Sequence, residues 1–451
     1  MTITELYELY KAHPVITTDT RNCPEGSLFF ALKGERFNGN QFALQALEAG
    51  CAYAVVDEYP GDLNDNSRVI LVEDALQTLQ DLAHYHREQF AGPVIQITGT
   101  NGKTTPKDLV AAVLAEKWQV HYTQGNFNNH IGVPKTLLQL PFSEECSQAT
   151  AEGQREHIAV IETGANHPGE IALLTKITDP DCGLITNVGR AHLEGFGSFE
   201  GVIRTKTELY DYLRTKPEAF IFLHGDNEHL CPCAQGLNAI TYGSTGKGYE
   251  VEGEVVECNP FVKMRWHVSG QPWHEVQTQL IGAYNIDNML CAATVGLRFG
   301  ETPDQIDHAL AGYAPHLGRS ELKRTATNTL IVDAYNANAT SMAAALDNFR
   351  QIPAQTKVAI LGEMRELGTA SAEAHREVLE QALSLGLSQL WLVGNEFGQC
   401  ENEQMRQSTG IRFFANVEEV KDALAESPLT DALILIKGSN GTHLYELPEK
   451  L

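Results

Sequence analysis

The densest concentration of reactive groups lies where the apolar run Val94-Ile95-Gln96-Ile97 enters Thr98-Gly99-Thr100-Asn101-Gly102-Lys103-Thr104-Thr105. Gly99 and Gly102 let the backbone curl until its N–H groups face a phosphate. A helix beginning behind them adds partial positive charge at the same point. Lys103 reaches the terminal phosphates of a nucleotide, and the Thr104 hydroxyl suits Mg²⁺. Ile97 stands where the usual phosphate loop carries a glycine, so this loop is a shorter variant. Pro106 fits the first helical turn, where its missing N–H costs nothing. The implied chemistry is phosphoryl transfer.

Two further groups stand at equivalent places. Glu162 follows the apolar residues of the run 157–163, and His192 follows the run 183–187. Open α/β sheets bind ligands at the carboxyl ends of their strands. Strands starting near residues 94, 157 and 183 are expected to be neighbours, gathering Lys103, Thr104, Glu162 and His192. A carboxylate suits Mg²⁺ when phosphate oxygens complete its shell, and imidazole is a less usual partner. Taken singly, Glu162 reads equally well as a surface carboxylate, and His192 reads more readily as a structural residue. By composition Lys206, in Arg204-Thr205-Lys206-Thr207-Glu208, is a solvated helical lysine.

These residues need an α/β scaffold, and the chain supplies three units of it. At ~150 residues per domain, 451 residues suggest about three domains. Residues 1–90 read as a small mixed α/β domain, with apolar runs at 27–32 and 52–57 and a helix over 75–90. Ala91-Gly92-Pro93 reads as a linker. Residues 91–314 alternate short strands (94–98, 157–163, 183–187, 219–223) with helices, the signature of a parallel sheet. Residues 238–280 are expected to form an antiparallel edge, followed by a helix over 285–299. Residues 315–451 resume the alternation (329–333, 358–361, 390–393, 411–414, 432–436), with a helix over 372–385. That is a Rossmann-like, doubly wound domain.

Composition narrows the function. Lys plus Arg is 33 against Asp plus Glu at 58, a net charge of −25. Such a balance disfavours nucleic-acid or anionic-membrane partners, which want a basic face. No stretch approaches the ~20 apolar residues of a membrane span, and the start lacks the pattern of a signal peptide. A soluble cytoplasmic protein is expected. The nine cysteines are scattered, and Cys231-Pro232-Cys233 has no partner pair at zinc spacing.

The loop Thr98–Thr104 resembles the nucleotide loop of the Mur ligases, ATP-dependent enzymes that build the peptide stem of peptidoglycan. The resemblance extends along the chain. Asn126-Phe127-Asn128-Asn129 is similar to the family's Asn-rich segment, residues 161–171 to its magnesium-site strand, and residues 186–197 to the next strand end. It implies ATP and Mg²⁺ as cofactors, with Thr104, Glu162, His192 and Lys206 at the metal. Lys206 would act there as a carbamate, with an unmodified lysine touching phosphate as the rival. Asn285 and Asn288 would contact adenine, with a helix N-cap as the alternative for Asn285. Arg319 would meet ATP, or else form a surface salt bridge. Asp333 would meet ribose, or else be a solvated loop carboxylate. The loop 437–442 reads as a ligand loop or as an ordinary strand-ending turn.

Residues 18–39 resemble the uridine-nucleotide domain of the last two ligases in the pathway, with Asp19, Thr20 and Arg21 facing uracil and diphosphate. Asn126, Asn128 and Asn129 would bind substrate. Residues 333–342 and 361–368 resemble the member that joins D-alanyl-D-alanine to UDP-N-acetylmuramoyl-tripeptide, acting as a monomer. The preceding ligase, which adds a diamino acid, is the alternative, but its Asp-Asn-Pro-Arg motif is missing. Thr163 and Ala339 depart from the family's usual Met and Pro without removing a reactive group. A folate-type ligase would lack the uridine segment, a GTPase would carry Asn-Lys-x-Asp, and a regulator without catalysis would not need this set of residues. The sequence does not identify a general base for the amine.

Overall fold

The structure is a computed structural model that describes the chain except residues 36, 60, 62–65, 152, 190–192, 317, 401–404, 406 and 407, and the side chains of 148–151 and 193. It contains three main sheets, one for each stretch of alternating pattern.

The first sheet is parallel, in the order Ile16–Thr17, Leu28–Phe30, Tyr53–Val56, Val69–Leu71. Alternate residues leave on opposite faces. Phe29, Ala54 and Val56 pack with Ala43, Ala46 and Leu47 of the short helix Ala43–Glu48. Leu28, Phe30 and Val55 meet the helices Ile3–Ala12 and Ala75–Gln89. The second helix is capped by Asp74, whose carboxylate accepts from Gln77 N, and it ends before Gly92-Pro93. It also packs outward. Leu79 and Leu82 share one core with Val133, Leu137, Ile161 and Leu174 of the next unit. Arg87 donates to Thr178 O and pairs with Asp181 at 2.9 Å. The first sheet is therefore anchored to the second by buried apolar and polar contacts.

The second sheet has nine strands. From one edge they are His274–Ile281, Phe261–Val268, Val251–Cys258, Asn238–Ser244, Phe220–His224, Cys182–Ile185, Val94–Thr98, His157–Glu162 and Gln119–Tyr122. The strands expected to be neighbours are neighbours. Glu162 lies opposite Ile97, and Ile185 lies opposite Thr98. Their carboxyl ends therefore finish at one level, about 4.8 Å apart in the sheet. The helices Thr104–Leu114 and Asn285–Phe299 cover one face, while Glu170–Thr178 and Phe199–Leu213 cover the other. Two expectations need correction. Residues 238–244 continue the parallel sheet, and antiparallel pairing begins only between Val251–Cys258 and Phe261–Val268. The edge strand Gln119–Tyr122 was not anticipated, because its partly buried polar residues carry no apolar run.

The third sheet runs Glu321–Arg324, Thr329–Asp333, Leu433–Lys437, Lys357–Gly362, Gln389–Val393, Ile411–Phe414. Five strands are parallel with helices on both faces. The first is an antiparallel edge that sequence reasoning missed. Asp333 and Lys437 end adjacent strands in register. Among the described residues no helix is long and apolar enough to cross a membrane.

Candidate active site

The loop after Val94–Thr98 owes its shape to its glycines. Gly99 has φ +150, and a Cβ there would stand 2.1 Å from the Thr186 hydroxyl oxygen. Gly102 has φ +62, which L side chains rarely adopt. The loop is tied to the neighbouring strand end on both sides. Thr100 N donates to Asn187 O and Asn101 N to Asn187 Oδ1, each at 2.9 Å. Asn101 O accepts from Thr186 Oγ1 and Asn187 Nδ2, also at 2.9 Å. Thr186 and Asn187 thus brace the loop, a role that only the position of Thr-Asn just beyond a strand could have suggested.

Lys103 folds over the loop and donates to Gly99 O at 3.0 Å and Thr100 O at 3.2 Å. Burial pushes its ammonium below the ordinary lysine range, while Glu162 pulls it back up. Thr104 opens the helix behind it, and its hydroxyl donates to Glu162 Oε2 at 2.9 Å. Glu162 is 1 % exposed, so the surface-carboxylate reading is wrong. Its other oxygen accepts from Asn128 Nδ2 at 2.8 Å, and its backbone N–H donates to Thr123 Oγ1. Asn128, expected to bind substrate, is engaged in holding this carboxylate.

Lys206 is likewise 2 % exposed rather than solvated. Its Nζ touches Ala165 O at 3.4 Å and lies 5.5 Å from the Phe196 ring centre. Burial and the nearby Lys103 charge push its ammonium well below the usual range. His192 lies outside the described residues.

These groups open into a cavity of about 1020 Å³ that the third sheet completes. Thr105, Asn126, Asn129, Asn285, Asn288, Arg319 and Asp333 all line it. Asn285 is not an N-cap. That place belongs to Tyr284, and the Asn285 amide joins Ile281 O to Asn288. Arg319 makes no surface salt bridge among the described residues. Its guanidinium lies 3.7 Å from the Tyr335 ring centre, and its buried Nε has no acceptor among the described residues. Asp333 is not solvated either, since it pairs with buried Lys437. Sequence reasoning left Lys437 undecided, yet it lines the cavity. The residues after it turn away, with Gly438 close against Gly362 and Gly441 O accepting from Arg365.

Some expected residues stand apart. Asp19 and Arg21 pair with each other at 2.7 Å near the surface and, with Thr20, do not line the cavity. The Arg21 side chain and backbone N–H hold the Asp19 carboxyl down at about 2. The Asn129 carboxamide oxygen accepts from Ile131 N and Gly132 N, so that end is spent on the next helix start. Cys231 and Cys233 hydrogen-bond backbone carbonyls.

The donor set fits Mg²⁺. Thr104 and Glu162 present buried oxygens side by side at the cavity floor, and oxygen is what a hard cation takes. The loop amides and Lys103 supply the phosphate half of the same site.

Three family models match the chain: "Mur ligase family, catalytic domain" over residues 14–87, "Mur ligase middle domain" over 97–296, and "Mur ligase, glutamate ligase domain" over 318–440. The chain is 32% identical to UDP-N-acetylmuramoyl-tripeptide--D-alanyl-D-alanine ligase of Bacillus subtilis (strain 168), across 99% of this chain and 94% of the relative. It is 36% identical to the ligase of that name from Synechocystis sp., across 97% and 91%. The crystal structure of MurF ligase from Thermotoga maritima in complex with ADP superposes with a TM-score of 0.80 at 26% identity, covering 97% of this chain and 96% of that one.

Proposed function

The chain belongs to the Mur ligase family, and from that premise we propose that it joins D-alanyl-D-alanine to UDP-N-acetylmuramoyl-tripeptide at the expense of ATP. The observation that carries this reading is the Thr104–Glu162 pair behind the Lys103 loop, in a cavity that residues of the third sheet complete. Two full-length relatives above 30% identity carry that activity in their names.

The tripeptide carboxylate attacks the γ-phosphate of ATP. An O–P bond forms, the bond to ADP breaks, and an acyl phosphate results. Two anions must approach, so the loop amides, Lys103 and Arg319 neutralise charge where it gathers. Lys103 exchanges its loop carbonyls for phosphate oxygens. Mg²⁺, when bound, supplies further charge neutralisation. Thr104 and Glu162 would hold it, joined on the resemblance alone by His192. Lys206 would join them as a carbamate, since burial favours the neutral amine that adds CO₂ and releases a proton. The amine of D-alanyl-D-alanine then attacks the acyl carbon, phosphate leaves, and an amide remains. The third domain excludes water that would hydrolyse the acyl phosphate. Asn285 and Asn288 take the adenine end and Asp333 the ribose. Asp19, Thr20 and Arg21 take the uridine diphosphate outside the cavity. The assigned units are residues 1–90, 91–314 and 315–451. The chain works as a monomer in the cytoplasm, where ATP and UDP-linked precursors occur, and sedimentation checks the monomer.

The test is the mass of the product. UDP-N-acetylmuramoyl-tripeptide with D-alanyl-D-alanine should yield the pentapeptide. Turnover only with the dipeptide precursor and a diamino acid would move the assignment to the preceding ligase.

A further inference from the structure

Asn338 belongs to the third domain, yet its side chain reaches the nucleotide loop of the second. It caps the helix Ala339–Gln351, its Oδ1 accepting from Ser341 N at 3.0 Å. That fixes the orientation of the amide, so Nδ2 points away from the helix and donates to Asn101 Oδ1. The backbone N–H and C=O of Asn101 are already taken by Thr186 and Asn187. Its side chain is therefore the group through which another domain can act on the loop. The seam is narrow. A Cβ on Gly189 would stand 3.3 Å from Asn101 Nδ2 and 3.8 Å from the Thr340 hydroxyl oxygen.

We propose that Asn338 is a positioning residue through which the docked third domain sets the nucleotide loop, so that phosphoryl transfer waits for that domain. The proposal rests on the ligase reading above. Asn338 touches no reacting atom. It acts through Asn101, one residue before Gly102 and two before Lys103, and fixes the loop whose amides and lysine meet the triphosphate. When the domain lifts, Asn101 loses its partner and the loop keeps only its braces to Thr186 and Asn187. The triphosphate is then held without the final alignment. An acyl phosphate forms only beneath a domain already in place to shield it.

The first test variant is Asn338→Ser. Serine still caps the helix, but it is too short to reach Asn101. Asn101→Ala removes the other half, and the double variant completes a cycle. Hydrogen exchange of residues 100–105 is read first, on the whole chain without substrate. Each single variant should speed it about tenfold, the worth of one hydrogen bond, with the double no faster than the worse single. Steady-state turnover is read second. kcat should fall about tenfold while KM for ATP stays within about twofold. Unchanged exchange in Asn338→Ser would overturn the proposal. So would single-variant effects that multiply in the double, or faster exchange with kcat unchanged. Failure of the unsubstituted chain to turn over the proposed substrates would count against the functional reading, while the exchange result still judges the clasp.

Discussion

The Thr104 hydroxyl donates to the Glu162 carboxylate at 2.9 Å, although the two residues are 58 positions apart. The contact exists because two parallel strands end level with each other, with Ile97 opposite Glu162. Helix start and strand end thus deliver a hydroxyl and a carboxylate to one point, beside a loop built for phosphate. Glu162 accepts from Thr104 on one oxygen and Asn128 on the other, so its orientation is fixed before any ligand binds.

Glu162→Gln tests the charge with little change of shape. It keeps an acceptor for Thr104 but offers a metal no anion. We expect kcat to fall about 10²–10³-fold, the scale of losing one preorganised electrostatic group, with the melting temperature almost unchanged. Phosphate release across a Mg²⁺ titration measures it. Activity within threefold of the original would remove Glu162 from the metal.

Asn128→Ala tests the support behind that carboxylate. Losing a group that orients a ligand typically costs about 10–100-fold in metal affinity. The Mg²⁺ concentration for half-maximal rate should rise by that factor, while KM for ATP at saturating Mg²⁺ moves little. A change confined to KM for the UDP substrate would instead return Asn128 to the substrate-binding role its sequence suggested.

Asp333→Ala strands a buried cation. Lys437 is 2 % exposed and pairs with Asp333 across adjacent strands. Breaking a buried pair from one side costs about 3–5 kcal/mol. Denaturant unfolding followed by fluorescence of Trp391, in the core of the same domain, should show that loss. Replacing both residues by apolar ones should recover much of it.

How much of this was legible beforehand follows from what each feature depends on. Strands such as Val94–Thr98 and Thr329–Asp333 were visible as apolar runs, because both faces of a parallel sheet are covered. Gln119–Tyr122 and Glu321–Arg324 sit at sheet edges, where half-buried polar residues break that signal. The phosphate loop was legible because its chemistry is local. Pairings that depend on register were not. Neither Asp333–Lys437 nor the Asn128 contact to Glu162 follows from types and spacing. The hold of the Asn129 carboxamide oxygen on the Ile131 and Gly132 N–H groups likewise appears only once the next helix start is placed.

Glu301 predicts a pH dependence away from the site. Its carboxyl is 3 % exposed, and neither oxygen has a hydrogen-bond partner among the described residues. Burial raises it from 4.5 to about 7. The folded chain therefore holds this proton more tightly than the unfolded one, a contribution fully present below about 4.5 and lost as pH rises through about 7. Melting temperature should fall across that window. Glu301→Gln should flatten the slope and melt a few degrees higher than the original at pH 8, about 2–4 °C per kcal/mol for a large domain.

The central claim is that the tripeptide carboxylate takes the γ-phosphoryl group before the amine attacks. The direct measurement is turnover of UDP-N-acetylmuramoyl-tripeptide whose reacting carboxylate carries ¹⁸O, with ATP, Mg²⁺ and D-alanyl-D-alanine. One labelled oxygen should appear in each phosphate released, because the acyl–O bond is the one that breaks when the amide forms. Pentapeptide made with unlabelled phosphate would contradict the acyl-phosphate route.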